Sequence, residues 1–140
     1  MKKPLILLIS ASLLVILTLA GCGARNSSTL VEGVDRDPIL AITDPFAKTI
    51  LDGLQQNDLA LFTTDFDETM RAGFTQEKLS ALSKTLGFGG AVKGMELVKV
   101  EMVEGYYRVT YKVTLEKRSL LMAVVIPKEE PYAVTGLWFN

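Results

Sequence analysis

The sequence predicts an α+β domain, helices first and an antiparallel sheet after them, behind an apolar N-terminal leader. Three observations predict it. Apolar residues recur at helical spacing between Asp44 and Leu86. From Met95 onward the apolar period shortens to two. Before both, Met1-Lys2-Lys3 opens a stretch in which Pro4 to Ala24 carries no charge. With 140 residues the chain has room for one core, and segregated helices and strands imply helices packed on one face of a sheet.

Asp44 and Pro45 read as an N-cap and first helical residue, and Phe46, Ile50, Leu51 and Leu54 make one apolar stripe behind them. The polar run Gln55 to Asp58 closes that helix and caps a short one over 59–62. A third helical stretch is expected over 65–71, interrupted by Gly73. Thr75 then caps 76–86, with Leu79, Leu82 and Leu86 on one face and Gly87 as the stop. Residues 95–104 read as a strand ending in the turn Glu104-Gly105. Tyr107, Val109, Tyr111, Val113 and Leu115 alternate with polar neighbours, the clearest half-buried strand in the chain. After a turn at Lys117-Arg118, the continuous apolar run 119–126 is expected to be a central strand buried on both faces, and 132–139 a fourth strand closing the meander.

The leader carries a specific signal. Leu19-Ala20-Gly21-Cys22 resembles the lipobox of bacterial lipoproteins. The resemblance implies diacylglyceryl attachment to the Cys22 thiol, cleavage between Gly21 and Cys22, and acylation of the new N-terminus. Several acyl chains on one residue anchor far more firmly than a single myristoyl chain. The alternative is an uncleaved anchor, for which 4–24 barely reaches the roughly 20 apolar residues a span needs. Either way Lys2 and Lys3 hold the N-terminus inside and place the rest outside the cytoplasmic membrane. The chain thus divides into a signal peptide (1–21), a lipidated Cys with a flexible tether (22–43) and a folded domain (44–140). A tether of about 20 residues would have an r.m.s. span of about 25 Å. If the envelope has two membranes, Gly23 after Cys22 is not the Asp that signals inner-membrane retention, which favours the outer membrane.

Composition removes several functions. Fifteen Lys and Arg against 16 Asp and Glu argue against a nucleic-acid binder. The absence of His removes the usual general base and commonest metal ligand. One Cys excludes an internal disulfide and a Cys₄ zinc site. No metal and no cofactor is expected.

Asn57-Asp58-Leu59-Ala60-Leu61-Phe62, the following Asp65-Phe66-Asp67-Glu68-Thr69-Met70, the helix after Thr75, the glycines before Met95 and the closing Gly136-Leu137-Trp138-Phe139 together resemble an uncharacterised family of extracytoplasmic prokaryotic domains. That family is assigned to the nuclear transport factor 2-like (cystatin-like) superfamily. The resemblance covers about 45–140. It implies a curled four-stranded sheet wrapping a long helix around a conical pocket, and it carries no activity with it, since a fold does not select a function.

Individual motifs give little chemistry. Asp65-Phe66-Asp67-Glu68-Thr69 fits the pattern of aspartyl-phosphate phosphatases, but too little chain follows for the domain that motif needs, and a helix start explains it. It is no EF-hand, because Met70 stands where the loop requires Gly; a weak divalent site from Asp65, Asp67 and Glu68 is the residual alternative. Gly87-Phe88-Gly89-Gly90 follows a helix and lacks the later residues of a dinucleotide or phosphate loop, so it reads as a helix stop. Tyr107, Tyr111 and Trp138 are the candidate pocket-lining residues, with plain core as the alternative. No catalytic residue stands out. The expectation is a non-catalytic lipoprotein, tethered to the bilayer through acylated Cys22, that binds a small apolar ligand or a protein partner. Two alternatives differ in class: a small isomerase or hydrolase using Asp52, Asp58, Asp65 or Asp67 as base, and a dimerisation module pairing two copies through the polar sheet face of Arg108 and Lys112.

Overall fold

A computed structural model describes residues 27–140. The leader 1–21, the Gly21–Cys22 junction and the tether as far as residue 26 lie outside the described residues. The fold is α+β, and its sheet has five strands among the described residues where four were expected. In chain order they are β1 (Ser28–Leu30), β2 (Val92–Val103), β3 (Tyr106–Leu115), β4 (Ser119–Pro127) and β5 (Gly136–Phe139), all antiparallel and adjacent in sequence order. The extra strand comes from the stretch expected to be tether. Leu30 pairs with Glu101 and Ser28 with Val103, and a single 3-10 turn (Gly33–Asp35) leads from it into the first helix.

That helix, α1 (Asp37–Gln56), starts two turns earlier than the Asp44-Pro45 signal suggests, and Pro45 lies inside it. Pro38 holds the favoured proline position at the helix start instead. The buried stripe runs Ile39, Thr43, Ala47, Ile50, Leu51 and Leu54. Thr43 breaks it in sequence but not in space. It is fully buried, and its hydroxyl donates back to the Ile39 carbonyl at 3.1 Å, so its polar atom is satisfied within its own helix. The folded body therefore reaches back at least to Ser28, and the domain boundary expected at 43/44 falls within a helix.

The short helices match their caps. In α2 (Leu59–Phe62) the Asp58 carboxylate accepts from Leu61 N at 3.0 Å, and in α3 (Glu68–Ala72) Asp67 accepts from Met70 N at 2.7 Å. In α4 (Gln76–Leu86) Thr75 caps the start, and Gly87 ends it with φ of 84°, a left-handed conformation that suits a residue without Cβ. Phe62, Phe66 and Phe74 meet edge to face, with centroids 5.0 to 5.7 Å apart. Arg71 ties the connecting loop by donating to the carbonyls of Thr63, Thr64 and Phe66.

In the sheet, β2 and β3 join through a two-residue turn, Glu104-Gly105, both at positive φ. Between Leu97 and Lys99 the register slips by one residue, so that Leu97 faces Tyr111 while Val100 faces Val109. This bulge keeps both apolar residues on the helix side and ejects Val98 to solvent. The β4 expectation needs correction. Leu120, Met122, Val124 and Ile126 are buried, while Leu121, Ala123 and Val125 face outward and are exposed or half-buried. A strand apolar on both sides here has helices on one side only. Its outer apolar residues are therefore left uncovered.

Candidate functional site

The cross-strand registers lay out the sheet face that points away from the helices. Glu101 stands opposite Arg108, which is opposite Val125, which is opposite Gly136. One step along, Lys99 pairs with Thr110, Thr110 with Ala123, and Ala123 with Trp138. The next row sets Lys112 beside Leu121. The outer face is thus divided. Its β2–β3 half is charged and its β4–β5 half apolar.

The two halves line one open groove of about 590 Å³. Leu121, Ala123, Val125 and Trp138 form its apolar part, and Lys99 and Arg108 its cationic part. Trp138 is 55% exposed, large for an indole. Its ring lies over Gly136: a Cβ on that glycine would come within 2.5 Å of the ring edge. A residue without a side chain beneath the indole lets it lie down along the groove floor instead of standing away from the sheet.

The cations are organised by Glu101. Its side chain is buried, and its two oxygens accept from Arg108 Nε at 3.0 Å, Lys99 Nζ at 3.2 Å and Ser28 Oγ at 3.2 Å. The Arg108 hydrogen bond above all, with Lys99, the Arg108 charge and Ser28 behind it, holds the Glu101 carboxyl below the usual carboxylate range against the opposing effect of burial. Ser28 belongs to β1, so the strand that the sequence hides also completes this ion cluster.

The three aromatic residues singled out from sequence do not form one site. Tyr111 is 1% exposed and points into the core, where its hydroxyl lies 2.8 Å from both Thr43 Oγ1 and an Asp44 carboxylate oxygen. Burial pushes its phenol far above the ordinary range, and the Asp44 carboxylate adds to the shift. Tyr111 is not in the lining of the outer groove; it ties the sheet to α1. Tyr107 lies on the same helix-facing side of β3. It borders a separate open hollow of about 470 Å³ at the start of α1, with Ile39, Ile42, Met102 and Ile126. Trp138 alone lies in the outer groove. The parity of each strand is legible in sequence, but the register between strands depends on loops whose lengths are not.

The acids weighed as general bases do not gather at one site. Asp58 and Asp67 cap helices, Asp52 is exposed on α1 beside a shallow hollow, and the Asp65 main-chain carbonyl accepts from Val134 N. The Asp65-to-Thr69 motif is the start of α3. Among the described residues no three acidic or thiol side chains converge on a cation-sized site, and no helix is long and apolar enough to cross a membrane. Leu121, Val125, Lys99 and Glu101 are the site residues that sequence reasoning missed. The doubly apolar pattern of 119–126 is the one signal for Leu121 and Val125; Lys99 and Glu101 carry none in sequence.

Comparison with protein-family models, with curated proteins and with solved structures finds no match to this chain.

Proposed function

We propose that this chain is an extracytoplasmic lipoprotein, acylated at Cys22 and cleaved after Gly21, whose folded domain is a non-catalytic binding module that meets a protein partner through its outer sheet face. The observation that carries the reading is the groove itself: an exposed Trp138 laid flat beside Leu121 and Val125, next to two cations gathered on one carboxylate. Exposed aromatic and Arg side chains set together are the usual anchors of protein interfaces. Catalysis has weaker support, because Asp58 and Asp67 cap helices, Asp52 stands in solvent and Asp44 is bonded to Tyr111. The finer fold reading, a nuclear transport factor 2-like cone, belongs to the same proposal. Its support is α1 lying across the inner face of an antiparallel meander.

The anchor also acquires a geometry. Strand β1 begins six residues after Cys22, which reach at most about 20 Å when fully extended. A domain held that close, by a strand at the edge of its sheet, presents a restricted set of orientations to its surroundings.

Two experiments test the proposal. Metabolic labelling with palmitate marks the wild-type chain and leaves Cys22→Ala unlabelled and unprocessed; equal labelling and mass in the two would overturn the lipoprotein reading. A photo-crosslinking amino acid placed at Leu121 in cells gives adducts of discrete mass, whereas the same group at Glu77 on α4 gives none. Indistinguishable patterns at the two positions would remove the outer face as the binding surface.

A further inference from the structure

Resting on that binding reading, we infer what the groove recognises: an extended acidic–aliphatic segment of a partner polypeptide, its carboxylates on Lys99 and Arg108 and its aliphatic side chains on Leu121, Val125 and Trp138.

Charge selects the sign. Two cations converge on one carboxylate, Glu101, so the cluster keeps a residual positive charge in a chain whose formal net charge is −1. Arg108 uses Nε for Glu101. With its side chain 38% exposed, it keeps the outer edge of the guanidinium, two further donor groups suited to a carboxylate, free of protein hydrogen bonds among the described residues. Lys99 is likewise 43% exposed. Glu104, in the β2–β3 turn, is the other acid lining the groove and stands at its end, beyond Val103.

Shape selects the size. The groove crosses from β2 to β5, three interstrand gaps or ~14 Å. It is open along that length. Small-molecule sites bury most of their ligand in a concave pocket, whereas this groove is open to solvent. A chain segment lying across the strands covers the whole length. The charged and apolar halves are side by side across the strands, so such a segment places acids at one end and aliphatics at the other.

A second copy of this chain fits less well. It would return the same Lys99, Arg108 and Lys112, and the acid within its own cluster is already held by three donors. Its remaining acids on this face, Glu96 opposite Lys112 and Glu104 in the β2–β3 turn, flank the cluster and do not lie within it.

The chain contains one Trp, and it is the groove residue, so tryptophan emission reports occupancy directly. The probe is a blocked hexapeptide of two glutamates followed by leucines and valine, titrated into the full chain reconstituted in phosphatidylcholine vesicles, with empty vesicles as blank. Its twin carries lysines for the glutamates, and laurate serves as the small amphiphile. The expected result is a saturable emission shift with the glutamate peptide. The lysine twin should bind at least tenfold more weakly, and so should laurate. Arg108→Gln should weaken the glutamate peptide at least fivefold. Lys99→Gln, which leaves the Glu101–Arg108 pair intact, should weaken it at least threefold. Three results would each overturn the inference: no saturable shift, binding of the lysine peptide or laurate within threefold of the glutamate peptide, or emission that depends on protein concentration without peptide, the mark of a second copy. Discrete crosslinks at Leu121 alongside any of these would leave the binding reading standing and remove only the peptide chemistry.

Discussion

The two faces of this sheet are made from the same five strands, yet they are finished differently. The inner face is covered by α1 and filled: Val109, Val113, Met122, Val124 and Ile126 are fully buried, and the Tyr111 hydroxyl lies against Thr43 and Asp44. The outer face carries apolar residues on β4 and β5, and no helix among the described residues covers them. A polar group inside must be satisfied by the protein alone, as Tyr111 is by Thr43 and Asp44. A polar group outside can be left partly open, as Arg108 is. The inner face therefore reads as stability and the outer face as recognition, and substitutions on the two sides should separate those quantities.

The largest expected effect is inside. Gly53 on α1 sits directly against the backbone of Phe62, and a Cβ there would overlap the Phe62 N and Cα atoms. Backbone cannot swing aside, so α1 and α2 must part. Gly53→Ala should cost about 3 kcal/mol, at the upper end of overpacking penalties, read as a lowered denaturation midpoint in urea with an unchanged slope. A variant as stable as wild type would show that the helical layer is looser than the inner face implies.

Next comes the polar bridge between the layers. Tyr111→Phe removes the donor to Asp44 and leaves the Thr43 hydroxyl without its sheet partner, an expected loss of about 1–2 kcal/mol. Its pH dependence has a definite sign. The folded pKa of Tyr111 is raised above the unfolded value of 10.0. Its contribution is therefore complete below that pH and is lost as pH climbs above it, because the unfolded chain ionises first. The wild type should lose more stability than Tyr111→Phe between pH 10 and 12. Parallel losses would mean that the phenol is not held as the geometry shows.

Glu101 works in the opposite sense on the outer side. Its folded pKa lies below the ordinary 4.5, so it stabilises above that value and its contribution fades as pH falls through the lowered one. Glu101→Gln should lower Tm by a few degrees at pH 7 and by less at pH 3. A constant difference at both values would assign its role to packing and not to its bonds with Arg108, Lys99 and Ser28.

How much of this was readable in the chain follows the same division. Thr75, Gly87 and the alternation of Tyr107 to Leu115 are local signals, and α4 and β3 stand where those signals put them. Thr43 and Pro45 misled because their meaning is tertiary. A buried threonine that satisfies itself on its own helix looks like a polar break, and a proline within a long helix looks like its start. Strand β1 is three residues long, and pairing alone defines it. The apolar run of β4 was legible as apolar on both sides; that one side would be left bare was not, since sequence does not say how many layers cover a sheet. Grouping Tyr111 with Trp138 failed for a related reason, as their opposite faces are fixed by the register across β4.

The smallest effect on stability should come with the most local change to the groove. Gly136 is on an edge strand, and its added methyl in Gly136→Ala would meet the rim of the Trp138 ring and the Val125 side chain. The indole is 55% exposed, so it can rotate away at little cost, and the change in stability should stay within about 0.5 kcal/mol. The floor of the groove, however, would then be broken at its centre. Tryptophan emission should move toward that of a fully hydrated indole, and Leu121 crosslinking should fall, with the urea midpoint nearly fixed. If the midpoint falls as far as for Gly53→Ala, the outer face is part of the folding core and the contrast between the faces fails. If emission and crosslinking are both unchanged, Trp138 does not lie where recognition happens, and the glycine beneath it serves only the turn into β5.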